Sequence, residues 1–239
     1  MDIGFDWIYY GALAFFMAAW GGYHLAVEKL SAGRNSLNAR MALHRNVWME
    51  RLIVRENRIV DSTIMASLQN GTAFFASTSL FAIAGVLALL QATDAALMIF
   101  ADLPFGIATT RLAFEAKVGG LGVIFVYSFF KFAWSYRLFN YAAILIGAIP
   151  VDPTDPGVRG AAGRAAAMNI VAGRHFNRGQ RAFFFALGYL GWFVSPYVLM
   201  AATSAVLIVM WRRQFNSDAI EALAVDDLPT DPAFSEKQS

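Results

Sequence analysis

Four stretches of this 239-residue chain are apolar over enough residues to cross a bilayer, running approximately over 7–27, 64–90, 117–136 and 182–211. A hydrocarbon core of about 30 Å takes roughly 20 helical residues, and inside it every backbone N–H and C=O must be satisfied within its own helix. The fold class expected is therefore an all-α integral membrane protein with about four transmembrane helices. Composition agrees: 58% of residues are hydrophobic and 15% charged, against roughly 25% charged in an ordinary soluble domain. The first stretch follows Asp2 and Asp6 rather than a basic region and precedes no small-x-small cleavage site, so it reads as a retained span and not a signal peptide. The last is longer than one crossing needs and contains Pro196. Two crossings would take roughly 40 residues, so a single tilted, kinked helix is expected, with a re-entrant excursion as the alternative.

Lys and Arg are unevenly spread. Seven lie in 28–63 and seven in 131–181, whereas only Arg111 and Lys117 serve the loop and flank between the second and third spans. The positive-inside rule then puts both basic regions in the cytoplasm and both termini on the opposite side. The expected location is a bacterial inner (plasma) membrane, with membrane lipids as the first partner. Arg212 and Arg213 dissent, since they close the last span on the side assigned as non-cytoplasmic. A net charge of +2 is too small to imply a nucleic-acid partner. Cysteine is absent, which excludes disulfides, thiolate metal sites and a cysteine nucleophile.

The expected organisation is one helical membrane domain over 1–213, with cytoplasmic helical regions at 28–63 and 137–181, and an acidic tail over 214–239. No Gly or Pro falls between Gly33 and Gly71, and Leu37, Met41, Trp48, Leu52 and Ile59 recur at helical spacings. Asn35 or Ser36 can cap the start. The pattern predicts one helix from Ser36 to Leu90, on the order of 80 Å at about 1.5 Å per residue. Residues 138–149 are apolar but too short to span alone and end at Pro150 before a turn-rich stretch, after which an Ala-rich helix is expected over 158–176. Beyond Arg213, Asp226, Pro229, Asp231 and Pro232 mark a loose tail.

Polar groups inside an apolar span are costly against lipid, so they mark contacts with protein or water. Ser62, Ser67, Asn70, Ser77 and Thr78 form such a strip along the second span, preceded by Arg51, Arg55 and Arg58. Several copies around an axis would turn the strip into a pore wall and the arginines into a basic mouth. The plainer reading is that small polar residues permit close helix packing while the arginines pair with Glu50, Glu56 and Asp61. His24 and Glu28 lie four apart and can meet as an ionisable pair. Two such groups are too few for a metal site, and a structural hydrogen bond is the simpler role. Gly119-Gly120-Leu121-Gly122, Gly188 and Gly191 suit close helix packing, because the first lacks the strand and lysine of a phosphate loop. No nucleophile–base set or metalloprotease motif is present, so neither an enzyme nor a cofactor is expected.

Several segments carry a family resemblance. Arg58-Ile59-Val60-Asp61-Ser62 with Ser67-Leu68 and Phe74-Phe75-Ala76-Ser77-Thr78, the run from His175 to Ala182, and the closing Arg213-Gln214-Phe215 resemble the uncharacterised membrane-protein family known as domain of unknown function 599, DUF599. The resemblance covers nearly the whole chain and implies a compact multi-span membrane protein, with no activity, substrate or catalytic residue to carry over. Two functions follow as expectations. One is an oligomeric channel or transport protein with the second span at its axis; the other is a non-catalytic accessory or scaffold subunit that binds a partner protein or anionic lipid through its basic cytoplasmic helices.

Overall fold

The computed structural model describes residues 7–30, 36–102 and 110–223, and no strand occurs among them. The elements in chain order are α1 (Trp7–Leu30), α2 (Leu37–Ile53), α3 (Ile59–Gln91), α4 (Thr93–Asp102), α5 (Arg111–Gly147), α6 (Val158–Tyr189), α7 (Pro196–Phe215) and α8 (Asp218–Ala222), with a 3-10 turn at Leu190–Phe193. Three helical stretches are long and apolar enough to cross a membrane: α3, α5, and Pro196–Ala222 comprising α7 and α8. This is an all-helical membrane protein.

The spine is α5. Along one flank α3 runs antiparallel to it: Gln69 Nε2 donates to Asn140 Oδ1 at 2.7 Å, and Gly122 lies under Val86 so closely that a Cβ there would be 3.1 Å from Cγ1. Along the other flank α6 is also antiparallel. Ser135 Oγ donates to the Ala172 carbonyl at 2.8 Å, the Phe132 ring occupies the space where Gly179 would carry a Cβ, and Tyr189 rests on Gly120. Missing Cβ atoms let these helices approach closely, as close packing without a hydrophobic drive in lipid requires. The α1 helix lies against α6 and α7. The Phe16 and Tyr189 rings are 5.3 Å apart, and Tyr23 donates its hydroxyl to the Met210 carbonyl at 3.1 Å.

One core gathers Phe16, Phe125, Phe185, Tyr189 and Leu199, and a second, at the other end of α5, gathers Met49, Leu52, Phe139, Ala162 and Ala165. The alanine face of α6 admits α2 and α5 at short range there. By contrast α3 is peripheral. Only 11% of its most apolar window is buried within the protomer, against 44% for α5.

Three expectations are revised. The long helix from Ser36 to Leu90 is interrupted at Val54–Arg58. Ser36 does cap α2, its Oγ accepting from Ala39 N at 3.2 Å, while Asn35 lies outside the described residues. At the elbow, buried Asp61 accepts from Trp48 Nε1 at 2.7 Å and from the Arg55 guanidinium, which pulls the end of α2 back onto the first turn of α3. Arg58 donates to the Ile149 and Pro150 carbonyls at 2.8 and 2.9 Å, and Asn57 Oδ1 accepts from Ile59 N at 2.9 Å. These bonds replace the helical ladder that continuity would have supplied.

The single bent helix over 182–211 is instead a helical hairpin. After Tyr189 the chain makes its 3-10 turn, Ser195 caps a new helix by accepting from Val198 N at 3.1 Å, and Pro196 occupies the first turn of α7, where no N–H is needed. Gly188 faces the backbone of Thr203 and Gly191 the carbonyl of Val198, so α7 returns antiparallel to α6. The hairpin brings Arg212 and Arg213 to the end that holds the other arginines; Arg213 lies 5.7 Å from the centre of the Phe184 ring. The dissent of these two residues is thereby removed, and with it the expectation that the chain emerges from its last span opposite the basic regions. The expected tail begins with ordered chain: α8 docks on α2 through Arg40 NH1, which donates to the Ile220 carbonyl at 2.6 Å. Asp226 and the residues after it lie outside the described residues.

Candidate functional site

The basic end of the bundle holds a cleft between the last turn of α1, α2 and α6, about 390 Å³ in volume. Its polar lining comes from few positions. Arg174, Arg178 and Arg181 are spaced four and three apart on α6, so helical geometry projects them along one face. Arg45 reaches in from α2 and Glu28 from α1. Four guanidinium groups thus share the cleft with one carboxylate.

That carboxylate is already committed. Arg178 donates to Glu28 Oε1 from Nε at 2.7 Å, with its second nitrogen at 2.6 Å, and His24 Nε2 lies 3.3 Å from the same oxygen. The ionisable pair read from the sequence is therefore one side of a larger cluster. Arg181 is only 7% exposed, its nearest approach to Glu28 is 3.9 Å, and its Nε and one terminal nitrogen have no hydrogen-bond partner among the described residues. Arg45 lies across Gly173, in the space a Cβ would fill, and donates to the Asn169 carbonyl at 3.0 Å. Burial holds the Arg45 pKa below its ordinary value. Asn177 Nδ2 donates to Asn38 Oδ1 at 2.9 Å across the same opening, and Val27, Met41, Ala42 and Ile170 supply an apolar wall.

The strip on α3 is separate from this cleft. Ser62, Ser67, Asn70 and Ser77 are exposed and Thr78 is half-buried, on the side of α3 turned away from α5. Ser62 and Thr78 each return their hydroxyl to a backbone carbonyl of their own helix, at 2.8 Å in both cases. Ser67, Asn70 and Ser77 have no side-chain hydrogen bond among the described residues, and a Cβ added to Gly71 beside them would meet nothing within 4 Å. The three arginines before the strip divide. Arg55 and Arg58 are held internally by Asp61 and by the carbonyls of residues 149 and 150, leaving Arg51 exposed.

A family model described as "Protein of unknown function, DUF599" matches residues 11–219. The chain belongs to the DUF599 family. The match contains the whole cleft and the whole of α3. No curated protein and no solved structure matches. Among the described residues of this family member, no group of three or more His, Asp or Glu side chains is arranged to hold a metal ion.

The gathering of Arg45, Arg174, Arg178 and Arg181 with Glu28 in one cleft was not foreseen from the sequence, which treated the basic residues as loop charge and as a general face for anionic lipid or a partner. The spacing on α6 was a usable signal for three of them. Glu28 lies 150 positions from Arg178 in the chain, and no local pattern links them.

Proposed function

We propose that this DUF599 protein works in the membrane as a homo-oligomer whose copies meet along the outer face of α3, with Ser67, Asn70 and Ser77 lining a path for ions or small polar solutes. The observation that carries the reading is the exposure of these side chains on a helix that is otherwise apolar and largely unburied. Acyl chains offer an amide or hydroxyl no partner beyond the carbonyls of its own helix, whereas a second copy or water on an axis supplies one. Ser67 and Gly71, four apart and both exposed, form the small-xxx-small spacing that lets two helix backbones approach. The protomer's own packing makes no demand for glycine at position 71. With Arg55 and Arg58 engaged elsewhere, the path is essentially uncharged and Arg51 is what remains of the basic mouth.

The chain has no cysteine, so single cysteines report without background. Ser67→Cys and Ser77→Cys are expected to form disulfide-linked dimers in native membranes, since bridged Cα atoms must lie within about 7 Å. Val123→Cys, 69% exposed on α5, is not. Asn70→Leu is expected to abolish solute flux while leaving assembly intact. Monomeric mass in gentle detergent together with no crosslink at either α3 position refutes the assembly; crosslinks without any flux refute the path.

A further inference from the structure

We propose that the arginine-lined cleft is a binding site for an organic phosphate, with Arg181 at its floor and Arg174 at its mouth. The inference is independent of how copies associate through α3. It starts from an imbalance: four guanidinium groups face one carboxylate, and Arg178 already occupies that carboxylate at 2.6 and 2.7 Å. Arg181 is left 7% exposed with two nitrogens unpartnered among the described residues. Its nearest carboxylate oxygen, on Glu28 at 3.9 Å, is shared with Arg178 and His24; a buried, desolvated cation so weakly paired is unfavourable, and an anion entering the cleft relieves it. Guanidinium forks match the oxygens of phosphate or carboxylate two at a time, and several guanidinium groups lining one cleft favour a group with three or four oxygens.

The rest of the lining says what is attached to the phosphate. A volume of about 390 Å³ exceeds what the bare ion fills, and Val27, Met41, Ala42 and Ile170 line part of it, so carbon bonded to the phosphate has an apolar wall to lie on. The Asn38–Asn177 pair at 2.9 Å adds amide groups suited to hydroxyls. Depth is informative too. Immediately after Arg181 the α6 sequence becomes Ala-Phe-Phe-Phe-Ala-Leu, with Ala182, Phe185 and Ala186 in the apolar core. The cleft therefore opens where hydrocarbon gives way to water, the level of lipid headgroups. The phosphate can belong to an anionic lipid or to a soluble phosphate ester, and the recognition chemistry is shared.

The test uses the full chain, with thermal unfolding and native mass spectrometry as readouts. One arm adds glycerol 3-phosphate or inorganic phosphate to protein in neutral detergent. The other compares nanodiscs of phosphatidylcholine alone with nanodiscs containing phosphatidylglycerol. Binding raises Tm and leaves a retained adduct. Each guanidinium contact removed is expected to weaken it roughly tenfold or more, so Arg181→Gln and Arg174→Gln both lose affinity while Arg51→Gln, at an exposed arginine outside the cleft, does not. Arg174 is exposed, so its variant keeps the test valid if Arg181→Gln fails to fold. Response to the soluble esters identifies a soluble ligand, and response only to phosphatidylglycerol identifies a lipid. No response in either arm, or equal losses for Arg51→Gln and the cleft variants, overturns the proposal.

Discussion

Gly191→Ala tests the hairpin that reverses the chain after α6. The added methyl would lie 2.7 Å from the Val198 carbonyl oxygen, 2.9 Å from its carbon and 3.0 Å from Leu199 N, all backbone atoms in the first turn of α7. Ordinary contact is about 3.5 Å, so that turn must retreat by roughly 0.8 Å, and a helix cannot yield as a side-chain end does. Overpacking of this kind costs about 1–3 kcal/mol. At about 2–4 °C per kcal/mol for a chain of this size, the expected loss is roughly 2–12 °C in Tm. Gly119→Ala is the internal control: it makes the same chemical change within α5, where an added Cβ meets nothing within 4 Å. Relief of glycine's backbone entropy there should stabilise by about 0.5–1 kcal/mol. Thermal unfolding of both variants in one detergent, followed by circular dichroism, gives the comparison. If Gly191→Ala melts at or above the parent temperature, α6 and α7 are not packed at this turn and the single bent helix is restored.

Asp61→Asn removes the charge that holds Arg55 while keeping an acceptor for Trp48. Because Arg55 is 35% exposed and can be rehydrated, the cost should be about 1–2 kcal/mol, with faster amide exchange over 54–58; an unchanged Tm and exchange pattern would mean the elbow is not pinned there. Gly173→Ala puts a methyl into the space of the Arg45 guanidinium, which can swing aside, so a small stability loss of about 1 kcal/mol and weaker phosphate-ester binding are expected. A Tm loss as large as that of Gly191→Ala would contradict the contrast between side-chain and backbone obstacles. For orientation, Glu56→Cys and Asp218→Cys should react with an impermeant maleimide from one side of the membrane and Asp94→Cys from the other, and labelling of Asp218→Cys together with Asp94→Cys would refute the shared basic end.

Much of the fold is legible in the sequence because the bilayer makes length and apolarity decisive. The spans around α3 and α5 follow from those quantities alone, and Ser36 and the close-packing glycines 120, 122, 188 and 191 follow from rules that act within a turn or two, whereas Gly119, read with them, faces no neighbour within 4 Å. Both breaks escape such rules for one physical reason. Continuity of a helix is a local preference, and at 54–58 it is overridden by Asp61, by Trp48 and by carbonyls 91 and 92 positions away from Arg58. At 190–195 the signals are present as Gly191, Ser195 and Pro196. A minimum length for two crossings outweighs them only if the helix pair is taken to start at Ala182, whereas α6 begins at Val158.

The hairpin changes what the charges mean. With Arg212 and Arg213 closing a span on the far side, the arginines could be read only as a loop bias that sets orientation and as a diffuse basic face for anionic lipid or a partner. Once α7 returns to the end where α1 finishes, α2 packs and α6 begins, residues from distant parts of the chain are held at one level, and a count becomes a site. Glu28 cannot neutralise that level, since one carboxylate is shared by His24 and Arg178 and approached by Arg181. Four cations assembled by tertiary packing at the boundary of an apolar layer leave an unmet demand for negative charge that the described residues do not satisfy. An uncharged face on α3 and a cationic cleft at the basic end therefore make separate demands on the surroundings, the first for another helix or water and the second for an anion, and each can fail its test without touching the other.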